Sequence, residues 1–314
     1  MNRKLIERGG RMRRARCFWL GAISLLHGAA APASFAASLA DFAPFSLTSG
    51  ASTLLPGRLY IPPAAVSDPT TQRPMILFLH GAGESGTNNA AQVNGNIDNL
   101  LAEAKRRGAF LYAPQTNAGW SNMTVLNRVD AMLDRALAEH PVDASRVYVT
   151  GISMGGGGTW NMLARFEDRF AAAVPICAVS PNTSFNAADM IDMPIWAFHA
   201  RDDGVVSYTS TRNVVTRILS AAGEPLPSYP VRPQSDFAFV SSTLDLRHTE
   251  YRLGGHGIWG RVYATPAMYE WLFSHTTAVP EPAGVSAWLI AAWVGVRRPK
   301  RRAPSACAKP ATRR

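Results

Sequence analysis

The most constraining feature of the sequence is a serine flanked by two glycines, Gly151-Ile152-Ser153-Met154-Gly155. Residues 146–150, just before it, are rich in β-branched and aromatic side chains and predict a strand, whereas a helix is predicted to begin near Met154. A strand that turns directly into a helix at such a pattern exposes the serine at the helix N-terminus, where the helix dipole favours negative charge. The segment therefore predicts a nucleophilic serine at position 153.

Predicted strands and helices alternate on both sides of this turn. Continuous apolar runs predict buried strands at residues 74–80, 109–113, 146–150, 171–177 and 194–199. Apolar positions spaced by three and four predict helices at residues 125–140 and 210–222. Residues 225–248 contain four prolines and are predicted to form a loop with a short hairpin. The alternation predicts an α/β fold with a mostly parallel central sheet and helices on both faces.

A serine hydroxyl needs a base within hydrogen-bond reach, and in folds with this turn the acid and then the histidine follow the serine along the chain. His256 lies in a glycine-rich loop after a strand-like piece at 249–253, and we predict it as the base, with His248 as the second candidate. His199 comes before the predicted acid and therefore has the wrong order. His275 follows the last predicted helix.

The acid is expected at the end of a strand between the serine and the histidine. Asp202 and Asp203 both meet this condition, and composition does not choose between them. Its role would be to orient the imidazole and stabilise the imidazolium. The alternative is that one of these carboxylates forms an ion pair with the neighbouring Arg201 instead.

An oxyanion hole requires backbone N–H donors. We predict one from Met154, next after the serine, and the second from Ala82 in the loop His80-Gly81-Ala82-Gly83, with Gly83 as the close alternative. The chain contains no spaced set of His, Cys and Asp residues typical of a metal site, so no metal and no organic cofactor is expected.

Several segments of residues 50–274 resemble one branch of the α/β-hydrolase superfamily. This branch comprises the polyhydroxybutyrate depolymerase-like and feruloyl-esterase-like carboxylesterases, also described as predicted peptidases. The matching segments are Leu79-His80-Gly81-Ala82-Gly83-Glu84, Ala113-Pro114-Gln115, the run from Arg146 to Trp160, Phe170 to Cys177, Pro194 to His199, His256 with Trp259, and Tyr269 to Leu272.

The resemblance implies an α/β-hydrolase fold and ester hydrolysis, and it assigns the acid. Its pattern places a variable residue and Val-Val after the acid, so that Val205 and Val206 put Asp203 in the acid's position. The chain departs from the pattern at Ala200, at Gly204 and at Gly257-Ile258, all close to the predicted site. These departures concern substrate preference more than catalysis.

The net charge of +10 comes from the two ends of the chain. Residues 1–36 carry +6 and residues 279–314 carry +7, which leaves −3 on residues 37–278 and argues against nucleic-acid binding by this body. Basic residues, an apolar stretch and a small-residue site before Ala37 predict a signal peptide at 1–36 and hence an exported protein. Residues 37–278 are predicted as the catalytic domain.

Residues 279–314 resemble the PEP-CTERM sorting signal of bacterial envelope proteins. Pro280-Glu281-Pro282 precedes an apolar run at 283–296 and a basic cluster at 297–302. The resemblance implies a transmembrane helix before processing, an exosortase-type processing partner and delivery to the cell envelope or outside. The apolar run is short for a full span, and twelve further residues follow the basic cluster.

The sequence thus predicts an exported serine hydrolase that cleaves small-molecule or polymer carboxylic esters through an acyl-enzyme formed on Ser153. A peptidase with the same fold, a lipase-type enzyme acting at membranes and a non-catalytic envelope binding protein are the alternatives. Ester and peptide cleavage use the same triad, so the fold does not separate them.

Overall fold

A computed structural model describes residues 37–182 and 185–277. Within these residues the strands are β1 (Ala43–Pro44), β2 (Leu47–Ser49), β3 (Ser52–Leu55), β4 (Gly57–Tyr60), β5 (Arg73–Leu79), β6 (Phe110–Pro114), β7 (Val142–Ile152), β8 (Ala172–Ile176), β9 (Ile195–Ala200), β10 (Phe237–Val240) and β11 (Leu246–Tyr251). The α-helices are α1 (Pro63–Ser67), α2 (Asp98–Arg107), α3 (Met123–Glu139), α4 (Met154–Phe166), α5 (Thr209–Ala222), α6 (Trp259–Tyr263) and α7 (Pro266–Phe273).

Nine of the described strands form one sheet in the order β1-β4-β6-β5-β7-β8-β9-β11-β10. The six strands from β6 to β11 in this order pair in parallel, while β1, β4 and β10 are antiparallel additions at the edges. β2 and β3 form a separate two-stranded sheet. The carboxyl ends of parallel strands meet at one edge, which is where sheets of this kind bind ligands.

Helices cover both faces of the sheet. Alternate side chains of β5 enter opposite cores, with Met75, Leu77 and Leu79 on one face and Ile76 and Phe78 on the other. Apolar residues of α3, α4 and α5 pack in the first core, and those of α2, α6 and α7 pack in the second. Because both faces are covered, the central strands are apolar throughout, and this continuous pattern made them predictable from the sequence.

The predicted α/β architecture is confirmed, while α2 and β11 differ from the sequence expectation. The sequence interpretation did not include α2, which ends at Gly108 in a left-handed cap with φ of 61°. The strand expected at 249–253 runs instead from Leu246 to Tyr251 and pairs in parallel with β9, because the short hairpin with β10 begins earlier in the chain.

The predicted signal peptide at 1–36 and the predicted sorting tail at 279–314, with its apolar run at 283–296, lie outside the described residues. Within residues 37–182 and 185–277, no helix combines the length and the apolar character needed to cross a membrane.

Candidate active site

Ser153 occupies the turn between β7 and α4 in a strained backbone conformation. Its φ of 54° and ψ of −115° are rare for a residue with a side chain. The turn is fixed by backbone hydrogen bonds, since Ser153 N–H donates to the carbonyl of Ile176 at 2.9 Å and its own carbonyl accepts from Gly157 at 3.1 Å. The strain thus belongs to a rigid turn between the central strand and its helix.

The two glycines of the motif are required by close backbone approach. A Cβ on Gly155 would lie 1.9 Å from the carbonyl oxygen of Leu79, and one on Gly151 would lie 2.2 Å from the carbonyl oxygen of Gly155. Neither distance is sterically possible, so any larger residue would push α4 away from β5 and β7. Both positions therefore require glycine for steric reasons.

Ser153, His256 and Asp203 form a continuous chain of hydrogen bonds. The Oγ of Ser153 lies 2.8 Å from Nε2 of His256, and Nδ1 of His256 lies 2.7 Å from Oδ2 of Asp203. A carboxylate accepts only, so Nδ1 carries the proton and Nε2 is the acceptor for the serine hydroxyl. This is the tautomer that a general base for Ser153 needs.

The carboxylate of Asp203 is fully buried and well supplied with donors. Its Oδ1 accepts the backbone N–H groups of Val205 at 2.8 Å and Val206 at 2.9 Å. Burial alone would raise the pKa of Asp203, but the hydrogen bonds from His256, Val206 and Val205 outweigh it and hold the pKa below its ordinary value. The group therefore stays ionised at neutral pH.

Asp202 has a different position from its neighbour. Its carboxylate accepts the backbone N–H groups of Gly254 at 3.2 Å and Gly255 at 2.8 Å, in the loop that leads to His256. Both glycines have positive φ, 151° and 61°. Arg201 pairs with Glu250 at 3.3 Å and with neither aspartate, so the expected alternative of an Arg201–aspartate pair is not what the chain adopts.

The two predicted oxyanion donors each begin a helical segment, where backbone N–H groups have no intrahelical partner. Met154 is the first residue of α4, and Ala82 is the first residue of the 3₁₀ turn Ala82–Glu84. That turn closes by a bond from Glu84 N–H to the carbonyl of Gly81, and the N–H groups of Ala82 and Gly83 both remain candidates for the second donor. A Cβ on Gly81 would lie 3.5 Å from Ile152, so this loop passes directly beside the serine turn.

The loops that carry these groups are cross-linked by side chains. The ring of His256 meets the ring of Trp259 edge-on, with centroids 5.6 Å apart. Trp259 Nε1 donates to Asn96 at 2.8 Å, and Asn96 in turn donates to Glu84, next to the predicted oxyanion loop. His80 anchors the start of the same loop, because its Nε2 accepts the N–H of Thr116 at 3.1 Å.

The second candidate for the base has contacts of its own away from the serine turn. His248, the second candidate for the base, is inside β11, fully buried and 3.0 Å from the hydroxyl of Tyr229. Desolvation lowers its pKa to about 3. Since it lies within a strand and its Nδ1 pairs with Tyr229, the structure does not bring His248 to Ser153.

His199 and Cys177 lie beside Asp203, and the sequence did not predict either of them as part of the site. His199 is fully buried at the end of β9, with Nε2 3.2 Å from Oδ2 of Asp203. Cys177 follows β8 with a φ of 45°, and its N–H donates to the carbonyl of Phe198 at 2.9 Å. No sequence signal indicates that the ring of His199 faces Asp203, and the positive φ of Cys177 has none either.

Cys177, Asp203 and His256 place potential ligand atoms within 4.8 Å of one another. A metal would need the thiolate, and burial, together with the charge of Asp203, raises the pKa of the Cys177 thiol far above its ordinary value. Both ring nitrogens of His256 are also already hydrogen-bonded. These contacts identify the cluster as part of the hydrogen-bonded site and do not fit a metal centre.

A cavity of about 300 Å³ lies beside the segment that follows the predicted oxyanion loop, and its lining contains none of Ser153, Asp203, His256 and residues 80–84. Its lining includes Asn89, Gln115, Asn117, Thr116 and Arg128, together with Gly86, two residues after the 3₁₀ turn. Gln115 is buried and holds the two sides together, since its amide donates to the carbonyl of Glu84 at 3.0 Å and accepts from Asn89 N–H. The cavity presents amide, hydroxyl and guanidinium groups.

Comparisons with known proteins find similarity to hydrolases and esterases. A model of the dienelactone hydrolase family matches residues 105–230, a range that contains Ser153 and Asp203. A bifunctional acetylxylan esterase/xylanase of Neocallimastix patriciarum is 28% identical over 149 residues, which are 46% of this chain and 21% of that protein. Poly(3-hydroxyalkanoate) depolymerase C of Paucimonas lemoignei is 28% identical over 151 residues, 41% of this chain and 35% of that protein. The matches therefore span only about a fifth and a third of these relatives.

Solved structures show the same architecture. A thermostable esterase is 31% identical with a TM-score of 0.62, covering 76% of this chain and 64% of that one. The acetyl xylan esterase from Aspergillus awamori, at 15% identity and a TM-score of 0.55, covers 74% of this chain and 98% of that one and shows the fold alone. The chain has the α/β-hydrolase fold and is similar to esterases.

Proposed function

We propose that this α/β-hydrolase is an exported serine hydrolase that cleaves carboxylic esters by a Ser-His-Asp acyl-enzyme mechanism. The observation that carries the proposal is the hydrogen-bond chain from Ser153 Oγ through His256 to Asp203, with distances of 2.8 and 2.7 Å. A hydroxyl next to a correctly protonated imidazole is the arrangement that activates a serine nucleophile.

In the proposed reaction, Ser153 Oγ attacks the ester carbonyl carbon while Nε2 of His256 takes the hydroxyl proton. The carbonyl electrons move to the oxygen, which the N–H groups of Met154 and Ala82 would stabilise. The carbonyl re-forms as the C–O bond to the alcohol breaks, and His256 returns the proton to the departing alkoxide. Water, activated by His256, then attacks the acyl-enzyme and releases the acid.

Asp203 would act in both halves of the reaction. Its carboxylate keeps the proton of His256 on Nδ1 and stabilises the imidazolium that forms while the proton is held on Nε2. Its lowered pKa supports this role, because a protonated acid would provide neither effect.

The substrate class is proposed to be a small-molecule or polymer ester. Esterases that are named for polymer substrates are among the similar proteins, an acetylxylan esterase and a poly(3-hydroxyalkanoate) depolymerase. Peptide cleavage by the same residues is the alternative that the experiment must separate.

A hydrolysis panel tests the proposal. The purified protein is expected to release p-nitrophenol from short-chain p-nitrophenyl esters and to leave peptide p-nitroanilides intact. Ser153→Ala should abolish the activity, and the control Ser67→Ala, at an exposed serine at the end of α1, should not change it. Faster cleavage of the anilides would favour the peptidase, a rate jump at the substrate's micelle threshold would favour the lipase, and a folded protein inactive on every substrate would favour the binding protein.

We propose further that residues 1–36 direct export and that residues 279–314 hold the chain at the membrane until an exosortase-type enzyme processes it. The basic clusters in both segments and the Pro280-Glu281-Pro282 triplet support this proposal. The location would be the cell envelope or the medium. The mass of the protein recovered from these fractions tests it, since the account predicts a chain that starts near Ala37 and lacks the tail.

A further inference from the structure

A second histidine contacts the carboxylate that orients His256. His199 Nε2 lies 3.2 Å from Oδ2 of Asp203, the same oxygen that Nδ1 of His256 contacts at 2.7 Å. The side chains of His199 and Asp203 are both 0% exposed. Because a buried charge depends on every donor that faces it, this contact has consequences for the ionised carboxylate.

The neighbours of His199 fix its tautomer. Nε2 also lies 3.0 Å from the carbonyl oxygen of Val206, so both neighbours of this nitrogen are acceptors and it must carry a proton. Nδ1 lies 2.8 Å from the hydroxyl of Thr211, which can donate to it. Desolvation lowers the pKa of His199, and the ring is therefore neutral. Its one N–H donates to the Val206 carbonyl, and Oδ2 of Asp203 lies beside it at 3.2 Å.

These contacts close a rigid triangle around the acid. Val206 donates its N–H to Oδ1 of Asp203, and its carbonyl accepts from His199, which also faces Oδ2. Both oxygens of the carboxylate thus have contacts that do not involve His256. Rotation about the carboxylate bond would break one of these contacts, so Oδ2 stays directed at His256.

We propose that His199 is a positioning residue for ester hydrolysis, which fixes the Asp203 carboxylate through its Nε2–H so that Oδ2 faces His256. The inference rests on the proposed function, in which His256 is the base. The polar contacts of His199 among the described residues are with Thr211, Val206 and Asp203 and do not include Ser153. Its effect is therefore expected in the chemical step and not in substrate binding.

Two polar substitutions separate this role from mere filling of space. In His199→Gln, the amide nitrogen reaches about as far as Nε2 and can donate to Asp203, whereas in His199→Asn it reaches only as far as Nδ1. We expect His199→Gln to keep most of the kcat on p-nitrophenyl acetate and His199→Asn to lose about tenfold to a hundredfold, the value of a hydrogen bond to a charged group. KM should stay nearly constant in both.

A matched control is His140→Phe. His140 lies just before the amino-terminal end of β7, whereas Ser153 follows the carboxyl end of this strand, and its ring packs against Phe45 and Phe110. It should leave kcat unchanged, and thermal unfolding of all variants would show that they are folded. Equal kcat values for folded His199→Gln and His199→Asn, or losses confined to KM, would overturn the proposal.

A measurement on the unaltered protein needs no variant and no activity. In ¹⁵N-histidine spectra, His199 is expected to be the Nε2–H tautomer, and His256 is expected to show a downfield Nδ1 proton from its bond to Asp203. An Nδ1–H tautomer at His199 would overturn the proposal. If the unaltered protein has these signals but hydrolyses no ester, the proposed function fails while the contact between His199 and Asp203 stands.

Discussion

The carboxylate of Asp202 accepts the backbone N–H of Gly255 at 2.8 Å, one residue before the imidazole that its neighbour Asp203 holds. Two consecutive acids thus fix the same loop in different ways. Asp202 binds its backbone, and Asp203 binds the side chain of His256. Both contacts come from the short segment after β9, so the end of this strand positions the predicted base.

This division predicts unequal effects for the two acids. Asp203→Asn should lower kcat by about 10³ to 10⁴, because an amide at this position favours the wrong imidazole tautomer. Asp202→Asn should lower it by less than about tenfold, since the amide oxygen can still accept one backbone N–H. Steady-state kinetics on a p-nitrophenyl ester measure both. A larger loss for Asp202→Asn than for Asp203→Asn would contradict the assignment of Asp203 as the acid.

The serine turn predicts a steric requirement at Gly155. Gly155→Ala would place a Cβ 1.9 Å from the carbonyl oxygen of Leu79, and we expect the melting temperature to fall by about 5 °C or more. The matched control is Gly260→Ala in α6, where a Cβ has no heavy atom within 4 Å and alanine favours the helix. Calorimetry would contradict the packing if both variants melted at the temperature of the unaltered protein.

These features differ in how well the sequence predicted them. The turn at Ser153 was predictable because its requirements, glycines at close approach and a strand followed by a helix, are local. His256 followed from chain order, which the parallel fold imposes. The choice of Asp203 needed the family resemblance, because both carboxylates follow β9 and only their directions in space differ.

Contacts between distant segments were the part that the sequence did not reveal. His199 was excluded as the base because it precedes the acid in the chain, but chain order says nothing about other roles. Nothing in the sequence pattern indicates that its ring faces Asp203. The length of β11 depended on pairing with β9 and β10, which the strand-like piece at 249–253 did not indicate. For α2, by contrast, Gly108 after three basic residues was a C-terminal signal that the sequence contained.

The buried His248 predicts a pH dependence of stability. Its folded-state pKa of about 3 lies below the ordinary value, so the unfolded chain takes up a proton that the folded chain refuses as the pH falls below about 6.5. The stability that it contributes is present above that pH and declines by about 1 kcal/mol per pH unit as the pH falls towards the folded pKa. Urea unfolding at about pH 6 and about pH 4 should show a smaller loss of stability in His248→Phe than in the unaltered protein. An identical loss in both would refute this origin.

A buried ion pair links β11 to α5. Glu250 is 1% exposed and contacts Arg212 at 2.6 Å and Arg201 at 3.3 Å. Glu250→Gln leaves two guanidinium groups without their counter-charge and is expected to lower the free energy of unfolding by about 3 kcal/mol or more. Glu139→Gln, which breaks the exposed pair with Arg135, should cost less than about 1 kcal/mol. Similar losses for the two variants in urea unfolding would be inconsistent with the buried pair.

The central claim is that Ser153 is a nucleophile activated by His256. Treatment with a fluorophosphonate followed by peptide mass spectrometry measures this directly, because the reagent bonds covalently to activated serines whatever the natural ester is. The account predicts one adduct, on Ser153, that forms far more slowly in His256→Ala and that Ser153→Ala lacks. An adduct on another serine, or a folded protein that remains unlabelled, would contradict it.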